Sequence, residues 1–192
     1  MAINYLQGQP WSKWTRDERY FCSILFEKAK NNPAKFASWL SEVTSISLPV
    51  TDNWDVGFEV SFYRDFLWQQ GLKSVDYGVS DQRAFDLCLF SPEVIVVIEA
   101  KAFEPFNMSQ NKVFDLEKKN LAKLPGLENI QVHLVGLASS RYFRNQKEFG
   151  DEKMLKMFDG FFTWNQAAEF YDDKLLAQAD NTYKMKPTME KS

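Results

Sequence analysis

The segment EVIVVIEAKAF, residues 93–103, constrains the fold of this chain more tightly than its other patterns. It contains five consecutive apolar residues, Val94 to Ile98, and four of them are β-branched. Such a run favours a buried strand. Glu99 and Lys101 follow without a turn residue, and strand alternation places both on one face. A carboxylate at the end of so apolar a strand is costly unless it is paired or binds a metal.

A second strand-like run, RAFDLCLF at 83–90, comes just before this segment, and Asp86 is its one acid. The three residues SPE separate the two runs, which is short enough for an antiparallel hairpin. A turn centred near residue 92 places Asp86 roughly opposite Ile98 or Glu99. The pattern therefore predicts two carboxylates that converge beside a lysine.

Two interpretations of this cluster follow from the residues themselves. Two close carboxylates repel each other unless a cation is present, and their hard oxygens suit Mg²⁺ or Mn²⁺. The backbone carbonyl of Ala100 could add a ligand, and Lys101 could orient or deprotonate a water or stabilise charge on a phosphate. Alternatively, Asp86, Glu99 and Lys101 form a structural ion cluster near a sheet edge.

Apolar residues at helical and strand spacings predict helices on both sides of the hairpin. The order is helices, a strand cluster, then helix, strand and helix, which indicates a mixed α/β sheet covered by helices. The predicted helices are 15–30, 34–43, 52–70, 108–124, 151–158 and 165–179, and the predicted strands are 75–79 at an edge, 83–90, 94–101, 130–138 and 160–164.

We expect one domain over residues 1–192, with its core at about 52–138. The expected additions are N-terminal helices within 15–42, a C-terminal helix at 165–179 and a disordered tail at 180–192.

Composition narrows the function classes. Apolar residues make up 45% of the chain and its net charge is −3, so nucleic-acid binding would have to use a local basic patch. Cys22 and Cys88 lie in apolar segments and are expected to be free thiols. No segment predicts secretion or membrane spanning, and we expect a cytoplasmic protein. The sole histidine, His133, lies in an apolar strand, which excludes a zinc site built from histidines and cysteines.

The spacing of Asp86, twelve residues, then Glu99-Ala-Lys101 resembles the PD-(D/E)xK nuclease superfamily. This resemblance implies a restriction-endonuclease-like fold, a mixed central sheet with an αβββαβ core flanked by helices. In that fold the first acid begins the second strand and E-x-K ends the third. Phe85 stands where the family pattern has proline. The resemblance also implies a Mg²⁺- or Mn²⁺-dependent nuclease, with Asp86, Glu99 and Lys101 as catalytic residues.

Two further positions fit the same resemblance. Many relatives carry an acid on the helix before the strand meander, and Glu59 lies on an apolar stripe of the predicted helix 52–70, as a possible metal ligand. Glu18 is the runner-up, since its capping-box position already explains it. Gln110 and Phe114 resemble a Q-x-x-x-Y element, with phenylalanine replacing tyrosine, and Gln110 is a further catalytic candidate. An ion-paired Glu59 and a surface Gln110 are the structural alternatives.

The resemblance implies nucleic acid as the partner, DNA before RNA, and leaves open a homodimer or a larger protein partner. Basic residues cluster at Lys112, Lys118, Lys119 and Lys123, and again in SSRYFRNQK at 139–147, where Tyr142 and Phe143 are interleaved. Aromatic and basic residues together suit phosphate and base contacts. The alternative for each cluster is a solvated charged face. The alternative function is a catalytically inactive protein of the same fold that binds nucleic acid or another protein.

Overall fold

The computed structural model describes residues 18–106, 116–149 and 155–183. Five strands form one mixed sheet in the order β1-β2-β3-β4-β5. The first three strands form an antiparallel meander, whereas β3, β4 and β5 run parallel to one another. The strands are β1 Asp55–Val60, β2 Phe85–Phe90, β3 Val94–Ala100, β4 Gln131–Ala138 and β5 Gly160–Thr163.

Helices cover both faces of this sheet. The helices are α1 Glu18–Ala29, α2 Pro33–Thr44, α3 Phe62–Gln69, α4 Ser74–Tyr77, α5 Ser140–Phe149, α6 Trp164–Tyr171 and α7 Lys174–Asn181. One hydrophobic core joins α1, α2, α6 and α7 to the sheet, and a second joins α3, α5 and the segment 116–127 to the opposite face. The predicted α/β class, a mixed sheet flanked by helices, is thereby confirmed.

The central strand β3 is buried along its whole length. Its side chains alternate between the two cores, which explains why its sequence is apolar without a polar face. It pairs with β2 in a register that sets Leu87 opposite Ile98, and the next pair along places Asp86 opposite Glu99. The predicted hairpin is therefore confirmed, as is the strand predicted at 130–138.

The helix predicted at 52–70 is wrong in its first half. Residues 55–60 form β1, which pairs antiparallel with β2, and only 62–69 are helical. The edge strand predicted at 75–79 is also wrong, because Ser74–Tyr77 is a short helix in the connection between β1 and β2. Pairing with β2 satisfies a row of backbone groups that would otherwise lie open at a sheet edge, and this outweighs the local helical pattern.

The helix predicted at 165–179 is two helices. Asp172 adopts a left-handed conformation with φ 48°, and Asp173 caps α7 by accepting hydrogen bonds from the backbone of Leu175 and Leu176. Thr163 caps α6. Of the tail predicted at 180–192, residues 180 and 181 belong to α7 and Thr182 and Tyr183 are buried. The rest of it lies outside the described residues. The predicted helices 108–124 and 151–158 lie partly outside the described residues, where 116–121 is helical and 155–157 forms a 3-10 turn.

Two expectations about single residues also have outcomes. Cys22 and Cys88 are buried free thiols, and His133 is a buried residue of β4. None of the helices in the described ranges combines the length and apolar character that crossing a membrane requires.

A substitution at Gly160 tests how closely β5 packs against α2. An added methyl group would lie 2.7 Å from Cβ of Thr44 and 2.9 Å from its backbone oxygen. We expect Gly160→Ala to lower the free energy of unfolding by about 1–3 kcal/mol, because backbone cannot yield as a side-chain tip can. Urea denaturation measures it beside Val50→Ala, a fully exposed position expected to change by less than ~0.5 kcal/mol. An unchanged midpoint for Gly160→Ala would contradict this packing.

Candidate functional site

The site is centred on Lys101, the residue at which the chain leaves β3. Its backbone N–H donates to the carbonyl of Leu137 on β4 at 2.7 Å. Its carbonyl accepts a hydrogen bond of 3.0 Å from the indole Nε1 of Trp164, the first residue of α6. One residue on, the carbonyl of Ala102 accepts from the hydroxyl of Thr182. The strand end is therefore fixed by β4 and by the C-terminal helical layer.

The ammonium group of Lys101 lies between two acids from different parts of the fold. Nζ is 3.0 Å from Oε1 of Glu18, which begins α1, and 3.6 Å from Oε1 of Glu99 on β3. It also donates to the carbonyl oxygen of Ala100 at 2.8 Å. Glu99 and Lys101 are both buried. The buried charges at the end of the apolar strand are thus paired with one another, one ammonium with two carboxylates.

Asp86 joins this group across the β2–β3 pairing. Its Oδ2 accepts a hydrogen bond of 2.8 Å from the backbone N–H of Ala100. In an antiparallel pair, the N–H and C=O of one residue point to the same neighbouring strand. The Ala100 carbonyl therefore lies on the β2 side of β3, the side from which Asp86 contacts the Ala100 N–H.

The electrostatics of the cluster reflect an excess of acids. Burial raises the pKa of Glu99 to about 7, and the nearby Asp86 carboxylate adds to the rise. Burial likewise raises the pKa of Glu18 to about 7, although Lys101 opposes it, and burial raises the pKa of Asp86. Burial alone would lower the pKa of Lys101, but Glu18 and Glu99 outweigh it, so its pKa is raised and it stays an ammonium.

Three residues missed by the sequence interpretation extend the cluster. Arg83 lies 3.4 Å through Nη2 from Oε2 of Glu99 and 3.3 Å through Nε from Oε1 of Glu117. The Tyr63 hydroxyl donates to the other Glu117 oxygen. Glu117 is only 3% exposed, although it lies in a polar helical stretch of the sequence. Its spacing of four and seven residues to the buried Leu121 and Leu124 was the available signal.

The two weaker site candidates have different outcomes. Glu59 lies on a strand, with φ 49°, and pairs with Arg19 at 3.3 Å. It is Glu18, the runner-up acid, that contacts Lys101. Gln110 lies outside the described residues.

The aromatic residues of the second basic cluster do not face solvent. Tyr142 and Phe143 are buried in the core, so the expectation that they contact bases is wrong, whereas Arg141 and Arg144 are exposed. In the first cluster, Lys118 pairs with Asp159 at 2.5 Å, and Lys119 and Lys123 are exposed. Lys112 lies outside the described residues.

Within the described ranges, no three side chains of His, Cys, Asp or Glu are grouped so that they could hold a metal ion. An ion bound at Asp86 and Glu99 would therefore need backbone oxygen and water as further ligands, which is how Mg²⁺ is commonly held. Comparison of the chain with protein-family models, with curated proteins and with solved structures found no match.

The Trp164 hydrogen bond provides a test of how the site is supported. Trp164→Phe leaves the buried Lys101 carbonyl without this donor, and we expect a loss of about 1–3 kcal/mol in the free energy of unfolding. Trp39→Phe is the matched control, because the Trp39 indole donates no hydrogen bond within the described part of the chain. Chemical denaturation of both variants measures the difference, and equal losses would show that the bond to Lys101 carries no weight.

The raised pKa of Glu99 predicts a pH dependence of stability. The folded state holds this proton more tightly than the unfolded state, so the stabilising contribution is fully present below about pH 4 and is lost as the pH rises through 7. The free energy of unfolding of Glu99→Gln relative to wild type should therefore rise from pH 5 to pH 8, by on the order of 1–3 kcal/mol.

Unfolding by urea at the two pH values measures this gain. Glu27→Gln, an exposed position on α1, serves as the control and should show no such gain. A Glu99→Gln effect of equal size at pH 5 and pH 8 would contradict the assignment.

Proposed function

We propose that this chain is a metal-dependent nuclease that hydrolyses phosphodiester bonds of nucleic acid, with a restriction-endonuclease-like core. The observation that carries the proposal is the juxtaposition of Asp86, Glu99 and the buried ammonium of Lys101 at the end of a central strand. A buried charge cluster is costly to the fold, and perturbed carboxylates in such clusters are typical of functional sites.

The strand order supports this proposal. A three-strand antiparallel meander is followed by the helical segment 116–121 and a strand parallel to β3. Asp86 lies near the start of the second strand and Glu99 near the end of the third, which are the places that the PD-(D/E)xK resemblance implies. The acid that precedes the meander is Glu18 on α1.

The chemistry of the donor set fits a hard divalent cation. Asp86 and Glu99 offer carboxylate oxygens with raised pKa values, and the Ala100 carbonyl points to the same side. These three residues would hold Mg²⁺ or Mn²⁺ together with water. When bound, such an ion supplies Lewis acidity and lowers the pKa of a bound water.

The residues of the chain itself then perform the positioning. Lys101, kept as an ammonium by Glu18 and Glu99, can donate hydrogen bonds to a phosphate oxygen and stabilise negative charge there. Glu18 orients the lysine from α1, and the Ala100 N–H fixes the Asp86 carboxylate. The expected partner is nucleic acid, DNA before RNA, contacted locally because the chain as a whole is acidic.

A cleavage screen on single- and double-stranded DNA and RNA tests the proposal. The wild type should cleave at least one of the four with Mg²⁺ or Mn²⁺, and not with EDTA. Asp86→Asn and Lys101→Ala should each lower the rate by about 10²–10³-fold, because each removes a preorganised charge at the reacting phosphate. Lys174→Ala is the control, since this exposed lysine belongs to an acid-x-lysine tripeptide of the same form, Asp172-Asp-Lys174.

The stability of Lys101→Ala separates this proposal from the ion-cluster interpretation. If the cluster is only structural, the variant loses roughly 3–5 kcal/mol, the range for breaking a buried pair. Such a loss, together with no cleavage and no Mg²⁺ effect on the wild-type melting temperature, would overturn the nuclease proposal. It would favour the alternative, a non-catalytic protein that binds nucleic acid or another protein.

A further inference from the structure

Resting on the proposed nuclease function, we propose that Arg83 is the residue that binds the substrate phosphodiester, and that Glu117 and Tyr63 position it. Arg83 enters the site from the connection that precedes β2. It contacts Glu99 at the site and Glu117 behind it.

The side chain of Arg83 is more exposed to solvent than those of its two acidic partners. The side chain of Arg83 is 25% exposed, whereas those of Glu99 and Glu117 are 8% and 4% exposed. Arg83 is therefore the most exposed of these three residues, and its two acidic partners are more deeply buried. A ligand at the Glu99 carboxylate would lie within reach of Arg83.

The contacts of Arg83 with Glu99 and Glu117 are long for charge-assisted hydrogen bonds. They measure 3.4 Å to Glu99 and 3.3 Å to Glu117, whereas strong pairs of this kind lie at about 2.7–2.9 Å. A phosphate can compete with Glu99 for the guanidinium, because this contact is long. Arginine also suits the role chemically, because its planar fork matches two phosphate oxygens and is more weakly hydrated than an ammonium.

Glu117 acts as a tether. It is buried, and its second oxygen accepts from the hydroxyl of Tyr63, which is itself only 1% exposed. The Arg83 guanidinium also lies 5.1 Å from the ring centre of Phe85, which supports it from one side. If Arg83 turns from Glu99 to a phosphate, Glu117 and Phe85 still hold the base of the guanidinium near the site.

Fluorescence anisotropy with a fluorescein-labelled 20-nucleotide DNA, single-stranded and duplex, in EDTA tests the proposal without cleavage. We expect Arg83→Gln to weaken binding about tenfold and to reduce the magnitude of the salt slope by about 0.7–0.9, the value for one lost phosphate contact. Arg83→Lys should restore the charge but only part of the affinity. Arg64→Gln is the matched control, because Arg64 is an exposed arginine that is paired with Asp65 on α3.

Arg83→Gln removes a cationic partner from the two buried acids Glu99 and Glu117, so a second variant guards against simple misfolding. Arg83→Gln/Glu117→Gln removes the arginine and its tether together and should fold, yet bind as weakly as Arg83→Gln. Glu117→Gln alone should keep the charge at residue 83 and weaken binding by a smaller factor, because only the positioning is lost.

Wild-type affinity and salt slope in the double variant would overturn the role of Arg83 in phosphate binding, as would a wild type that binds neither probe. The cleavage screen decides the nuclease proposal separately. A wild type that cleaves but shows no Arg83 effect on binding refutes only the present inference.

Discussion

The buried ammonium of Lys101 is the interaction on which the rest of this structure depends. It joins Glu18 at the start of α1 to Glu99 on the central strand, and so connects a helix of one layer to the sheet. The backbone at the same residue is held by β4 and by Trp164 of α6. A buried charge must be paired, so α1 and the sheet meet where Glu18 and Glu99 can both contact the ammonium.

The cluster around this ammonium carries more acid than it needs for stability. In the described part of the chain, the carboxylates of Glu18, Asp86, Glu99 and Glu117 face the cations of Lys101 and Arg83. Burying unequal charge costs stability, and a well-packed apolar replacement would often stabilise such a site. The excess is understandable if a cation or a phosphate completes the balance, which is why the same feature supports both proposals.

The site is assembled from segments far apart in the chain. The hairpin of β2 and β3 supplies Asp86, Glu99 and Lys101, whereas Arg83 and Tyr63 come from the connection between β1 and β2, and Glu117 comes from the helical segment before β4. In the connection between β1 and β2, α3 buries Tyr63 in the second core. Tyr63 holds Glu117 by a hydrogen bond, and Glu117 in turn contacts Arg83. Packing in the core thus controls the geometry at the surface of the site.

The sequence by itself determined the hairpin, because a run of five apolar residues, a three-residue turn and strand alternation leave little freedom in the register of Asp86 and Glu99. Only the tertiary structure decided which strand pairs with β2 on its other side and which further residues contact the site. Residues 55–60 suit a helix locally, and pairing with β2 makes them a strand. Glu117 and Glu18 resemble ordinary helix charges until packing against the sheet buries them beside Arg83 and Lys101. Local patterns report backbone periodicity, whereas the burial of a charge depends on contacts between segments distant in sequence.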